Sequence, residues 1–396
     1  MNKAFKFKLQ PNDAQKILID KTIGCARLVY NLMLNDKINH YKETKKMLNN
    51  TPAQYKQKSE YEFLKEVDSL ALANSQQNLN LAYLNFFKNP KMGFPKFKSK
   101  KKSKLRYTTN NQKGTISIIN DKYIKLPKVG KVKAIIHRPI DSNIYKIKSA
   151  TIEHTSCNEY FISILVEYDY IKPDIKFDKN KAIGLDYSSP KFYVDSNGNS
   201  PEKQRYYREN EFKLAKEQKK LSRMTYGSNN YRKQKIKVAK VHKHISNCRL
   251  DFCHKLSNQL ANTYDIVCIE NLNLQSIAQS LHLGKSTNDN GFGIFRSLLQ
   301  YKLENKGKFL IKVDKWFASS KICNYCSSKN TKLTLRDRTW ICKECGSVIE
   351  RDYNAAKNIL DEGLKQLFSP EELGVEPGKH LRTSSSLKQE AIESLA

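Results

Sequence analysis

The sequence predicts an α+β multidomain protein: an N-terminal β-barrel carrying a helical insertion, then a C-terminal α/β domain with a cysteine ribbon inserted near its end. Three observations carry this expectation. An alternating strand is followed by a long helical stretch and then by a run of short strands. Farther along, a strand hairpin is followed by helix, strand, helix, strand and helix. Before the last of these helices lies a Cys-x2-Cys-x15-Cys-x2-Cys segment.

The first strand is read from Ala4-Phe5-Lys6-Phe7-Lys8-Leu9, whose alternation buries one face. Asn12, three residues before Gln15, is a capping-box signal, and the stripe Ile17, Leu18, Ile23, Ala26, Leu28, Val29, Leu32 makes the helix behind it amphipathic. Helical character runs on through residues 67–88, where Leu70, Leu72, Leu79, Leu81 and Leu84 are expected to supply a core, and Gly93 and Pro95 end it. Strand patterns then recur from 115 to 167.

The second domain opens with the strand hairpin "AIGLDYSSPKFYVDSNGNS". A basic helical region spans about 203–262, with Val241, Ile245, Cys248, Phe252, Leu256 and Leu260 on one face. The buried strand "DIVCIENL", the helix "FRSLLQYKLENKG" and the strand "KFLIKVD" follow, then the cysteines and a last helix. This order fits an RNase H-like fold.

Lys and Arg number 71 against 39 Asp and Glu, a net charge of +32, which points to a polyanionic partner, nucleic acid before anionic membrane. No stretch approaches the ~20 apolar residues of a membrane span, and "MNKAFKFKLQ" contains no apolar run that could serve as a secretory signal. The expectation is a cytoplasmic protein without membrane partners. Cys25, Cys157, Cys248, Cys253 and Cys268 lie scattered among apolar neighbours and are read as small buried hydrophobes of a reducing compartment.

Cys323, Cys326, Cys342 and Cys345 have zinc-ribbon spacing, and four thiolates would saturate one structural Zn²⁺. Gly346 follows the second knuckle, where a positive φ is wanted, and Ser327 holds the matching place after the first. Asp186 near the end of one strand, Glu270 at the end of another and Asp352 opening the last helix form a second set. Singly, each could be a solvated strand-end acid or a helix cap. Together, at the ends of core elements in a chain short of acid, they suit two Mg²⁺ ions and phosphodiester hydrolysis.

"IGLDYS", "VCIENLNL", "RTWICKECG" and "RDYNAAKNIL", with "KFKLQPNDAQKILIDKTIGCARLVYN" and "FFKNPKMGFPKFKSK", resemble the TnpB family, transposon-encoded RNA-guided DNA nucleases related to miniature type V CRISPR effectors. The resemblance covers nearly the whole chain. It implies a RuvC-like nuclease domain whose catalytic acids are Asp186, Glu270 and Asp352, with guide RNA and double-stranded target DNA as partners and a prokaryotic, nucleoid-associated location. It also implies a wedge-like barrel over 1–10 and 90–170 and a helical recognition insert over 11–89, with the nuclease domain spanning 182–318 and 350–368 and the ribbon 319–349. The residues themselves read as a linker at 171–181 and, from a composition rich in Ser, Gly and Glu, as a disordered tail at 369–396. The sequence departs from the family at "GLDYSSP", where Leu-Gly is more familiar after the Asp.

For nucleic-acid contact the candidates are Lys96, Lys98, Lys100, Lys101, Lys102, Lys104 and Arg106, a phosphate-binding run interleaved with Phe97 and followed by Tyr107, two rings that suit base stacking and barrel packing equally. Ser75, Gln76, Gln77 and Asn80 are candidates for base reading. A DNA-strand-transferring transposase and a non-catalytic zinc-ribbon regulator remain as alternatives.

Overall fold

In the computed structural model, which describes residues 1–169, 178–202, 204–273, 291–334 and 336–368, the first helix starts where its capping box lies. Asn12 accepts from the Gln15 backbone N–H at 2.9 Å, and the Gln15 side chain accepts from the Asn12 N–H at 3.1 Å. The chain divides into two compact units, Met1–Ile171 with Lys235–Ala239 and Lys172–Gln234 with Lys240–Ala396. Among the described residues no helix is long and apolar enough to cross a membrane.

In the first unit β1 (Asn2–Gln10) leads into α1 (Asp13–Thr44), α2 (Pro52–Lys56) and α3 (Ser69–Lys88). Six strands follow: β2 (Arg106–Asn110), β3 (Ser117–Ile119), β4 (Tyr123–Leu126), β5 (Gly130–Ile135), β6 (Lys146–His154) and β7 (Tyr160–Glu167). They join β1 in one antiparallel sheet of order β2-β6-β7-β1-β5-β4-β3. The expected barrel takes the form of a curled sheet: β2 and β3 stand at its edges, with no ladder between them among the described residues.

Phe5, Phe7 and Leu9 of β1 point into the core, as their alternation requires, and meet Ile152, Ile162, Ile164 and Val166. Val29, Met33 and Leu34 of α1 form a second cluster with Leu72 and Leu79 of α3. Three of the expected core leucines fall outside it, Leu70 being only half-buried. Leu81 and Leu84 are exposed, because the face of α3 that carries Leu72, Leu79 and Tyr83 points away from them.

In the second unit β8 (Ala182–Ser188) and β9 (Phe192–Asp195) form the expected hairpin. The basic helical region is two helices, α4 (Tyr206–Ser222) and α5 (Asn229–Thr263), separated around Gly227. Then come β10 (Ile266–Glu270), α6 (Phe292–Asn305), β11 (Phe309–Val313), the ribbon hairpin β12 (Thr339–Ile341) and β13 (Val348–Glu350), and α7 (Arg351–Phe368). The sheet order is β11-β10-β8-β9, with β8, β10 and β11 parallel. The first two of these read as apolar runs because parallel strands are covered on both faces. Val241, Ile245 and Leu260 of α5 are buried as expected, whereas Cys248 is only half-buried; the other four scattered cysteines are buried. The 171–181 linker lies largely, and the 369–396 tail wholly, outside the described residues.

Candidate active site

Parallel register brings two of the predicted acids together. Ile269 of β10 pairs with Leu185 of β8, so the next residues, Glu270 and Asp186, leave the same end of the sheet on neighbouring strands. The third acid comes from the first turn of α7, which packs across β8. Gly184 makes this approach possible: a Cβ there would lie 2.1 Å from the Ala356 carbonyl oxygen. Ala355 and Ala356 are fully buried. The glycine of "IGLD" and Ala356, the last alanine of "DYNAA", are thus two sides of one contact.

Asp186, Glu270 and Asp352 line a cavity of about 650 Å³ together with Ser188, Ser319, Lys321, Arg338 and Arg351. Burial pushes the Asp186 carboxyl well above the usual carboxylate range, and the negative charges of Glu270 and Asp352 add to this against the opposing pull of Arg351. Burial also raises Glu270, while the Ser319 hydroxyl, which donates to it, works the other way. Asp352 is 8% exposed and takes two hydrogen bonds on Oδ1 from Arg351, at 2.9 and 3.1 Å. Its Oδ2 accepts from Ser188 at 3.4 Å and lies 3.7 Å from Arg338. The excess of negative charge that disfavours an ionised Asp186 is what a divalent cation would relieve, so the donor set fits Mg²⁺. Among the described residues, however, only the four ribbon cysteines bring all their ligand atoms within 4.8 Å of one another.

In the ribbon Cys323 and Cys345 sulfurs lie 3.7 Å apart, and those of Cys326 and Cys342 3.5 Å. Thiolates at about 2.3 Å around a tetrahedral zinc stand about 3.8 Å apart, so the cluster is sized for that ion. Gly346 and Ser327 both adopt positive φ, 73° and 64°, as the knuckles require. The Ser328 hydroxyl and backbone N–H groups bring the Cys342 thiol down to about 6, and burial raises Cys323 to about 11.

An amide ladder fastens this ribbon to α7. Asn354 donates to the Ile322 carbonyl at 2.6 Å and accepts from the Asn324 N–H at 2.9 Å. Asn358 donates to the carbonyls of Ser319 and Ile322 at 2.8 and 2.7 Å. Ser319 in turn holds Glu270. Sequence reasoning missed Ser319, Asn354, Asn358, Arg338 and Arg351; the i, i+4 spacing of two asparagines on an otherwise apolar helix face was the available signal.

The predicted nucleic-acid residues, all in the first unit, divide. Lys96, Lys100, Lys101, Lys102, Lys104 and Arg106 are exposed. Lys98 is half-buried: Asn31 clamps its backbone with bonds of 2.9 and 2.8 Å, and its ammonium lies 3.6 Å above the Tyr30 ring. Lys98, Lys104 and Arg106 line a cavity of about 520 Å³ with Arg27, Asn74 and Asn78, residues not singled out from sequence. Tyr107 is buried in the sheet core, so it is no base-stacking group, while Phe97 is exposed. On α3, Gln77 and Asn80 are exposed. Ser75 lines the same cavity but is 5% exposed and donates to the Ala71 carbonyl; Gln76 donates to the Asn50 carbonyl at 3.2 Å. Each of these two thus makes one hydrogen bond within the fold.

Family models match three segments: a helix-turn-helix domain at 1–46, a probable transposase at 163–281 and a Cas12f1-like TNB domain at 292–359. The first covers one strand and a single unbroken helix here. A "Putative RNA-guided DNA endonuclease" from Streptomyces pristinaespiralis is 32% identical over 98% of this chain and 96% of its own length. "Putative RNA-guided DNA endonuclease InsQ" of Escherichia coli K12 is 28% identical over 98% and 97%. The protein of a Cas12f1–sgRNA–target DNA complex shares the fold, with a TM-score of 0.58 over 91% of this chain and 98% of that one at 14% identity.

Proposed function

The chain belongs to the TnpB family, and on that premise we propose that it is an RNA-guided DNA endonuclease cutting target DNA beside a short flanking motif. The observation that carries the chemistry is the meeting of Asp186, Glu270 and Asp352 around one cavity, with Asp186 held in excess negative charge. In this reading the second unit is a RuvC-like nuclease with an inserted zinc ribbon, and the curled sheet with its helices holds guide RNA and inspects the flanking duplex. Guide–target pairing supplies the sequence choice.

Asp186, Glu270 and Asp352 would hold two Mg²⁺ ions, which supply a water of lowered pKa and neutralise charge on the leaving oxygen. The protein's own side chains do the rest. Ser319 fixes the direction of the Glu270 carboxylate, and Arg351 fixes that of Asp352. Arg338 and Lys321, on the cavity wall, attract the phosphodiester and orient it by charge. The lysine run and the cationic cavity of the first unit add sequence-independent, salt-dependent affinity.

Purified protein carrying its native RNA, incubated with matched duplex and Mg²⁺, tests the assignment. The reading expects cleavage that needs both the RNA and the metal. Joining of DNA ends without RNA would instead identify a strand-transferring transposase, and binding without cleavage a regulator.

A further inference from the structure

One exposed aromatic, three residues before the cleft wall in sequence, has no role in the chemistry above. Trp316 is 81% exposed, although tryptophan is the side chain with the most to gain from burial. Isolated surface hydrophobics are ordinary, but three features set this one apart. First, its position is built: Asp314 leads a tight turn in which its carboxylate accepts the Trp316 N–H at 2.8 Å and its carbonyl accepts the Phe317 N–H at 3.1 Å. Phe317 packs inward against the cluster of Ile266, Cys268, Val313 and Ile359, and the residue before it is left facing outward. Second, the Lys315 ammonium lies 4.7 Å from the indole centroid, a cation placed beside the ring. Third, the ring sits three residues before Ser319, which lines the catalytic cavity and donates to Glu270. Three residues of chain span at most about 11 Å, less than two extended nucleotides.

We propose that Trp316, with Lys315 beside it, is a stacking platform for an unpaired nucleobase of the DNA strand entering the cleft. The indole face receives a base of any identity, and the ammonium neutralises the adjoining phosphate, so the strand is held without sequence choice while a neighbouring phosphodiester lies at the three acids. This deepens the nuclease reading and depends on it for the identity of the strand.

The chain has two tryptophans, and the other, Trp340, is 9% exposed with an indole N–H that has no hydrogen-bond partner among the described residues, so Trp340→Phe costs none of those bonds and leaves Trp316 as the sole indole, excited at the red edge where the tyrosines do not absorb. The full chain with that substitution is titrated with oligothymidylate without added divalent cation, following emission and, separately, the anisotropy of a labelled strand. The expected result is quenching that saturates with binding, and a loss of affinity of about five- to a hundredfold in Trp316→Ala that Trp316→Phe largely restores. Unchanged emission at saturating strand, or equal affinity of Trp316→Ala, overturns the proposal. If Trp340→Phe does not fold, acrylamide quenching of the unsubstituted protein gives the same answer: bound strand must protect the accessible emission, and failure to protect it refutes the platform. Because no step requires cleavage, the platform and the nuclease reading can fail separately.

Discussion

Adding one methyl group at Gly184 should disable the site without touching a carboxylate. The Cβ of Gly184→Ala would stand 2.1 Å from the Ala356 carbonyl oxygen and 2.8 Å from the Leu360 nitrogen, both backbone atoms of α7 that no rotamer change can move. Ordinary contact begins at 3.4 Å, so the helix must retreat by about 1.3 Å or the strand must bend. Overpacking of this kind costs about 1–3 kcal/mol. Since α7 carries Asp352 and β8 carries Asp186, the retreat also opens the distance between two of the carboxylates proposed to hold metal, and misplacement by about 1 Å costs on the order of a hundredfold in rate. Urea unfolding and single-turnover cleavage under saturating Mg²⁺ measure both effects. The expected variant is folded, slightly destabilised and slower by about two orders of magnitude. A Gly184→Ala protein with unchanged stability and rate would show that α7 does not lie on β8 in this way.

Three further outcomes follow from the same geometry. Asn358→Ala removes the amide donated to the Ser319 and Ile322 carbonyls, at a cost of about 1–3 kcal/mol; cleavage should fall through the freed Ser319 while zinc content by elemental analysis stays unchanged. Cys342→Ser should abolish the one zinc per chain that the same analysis is expected to find in the unsubstituted protein. With its folded pKa raised above the unfolded value, Asp186 retains a proton in the folded chain that the unfolded chain has lost, so the Mg²⁺-free protein should lose stability as pH rises between those two values. Asp186→Asn should flatten that slope in thermal melts and remove the stabilisation conferred by added Mg²⁺.

Much of this was legible in the chain because it depends on local chemistry. The Asn12–Gln15 capping box, the alternation of Phe5, Phe7 and Leu9, and the cysteine spacing each state their structure within a few residues. The acids could be picked out as a set, since each stands at or near an end of a recognisable element, and the fold brings them to one cavity. What could not be read is what closes across long sequence separations. Ser319 meets Glu270 across 49 residues, and Asn358 meets Ser319 across 39; neither side chain has a pattern around it that names its partner. The cavity of Arg27, Asn78 and Arg106 has the same character. Polarity alone does not tell which face of α3 points inward, so the burial of Ser75 could not be read from its neighbours, nor the exposure of Leu81 and Leu84.

The central claim is that three carboxylates far apart along the chain act as one metal-binding group. Single-turnover cleavage by Asp186→Ala, with RNA retention and target binding measured on the same preparation, tests it most directly. The account predicts intact binding and no detectable cutting at any Mg²⁺ concentration. Cutting at the unsubstituted rate would contradict it and move the active site elsewhere.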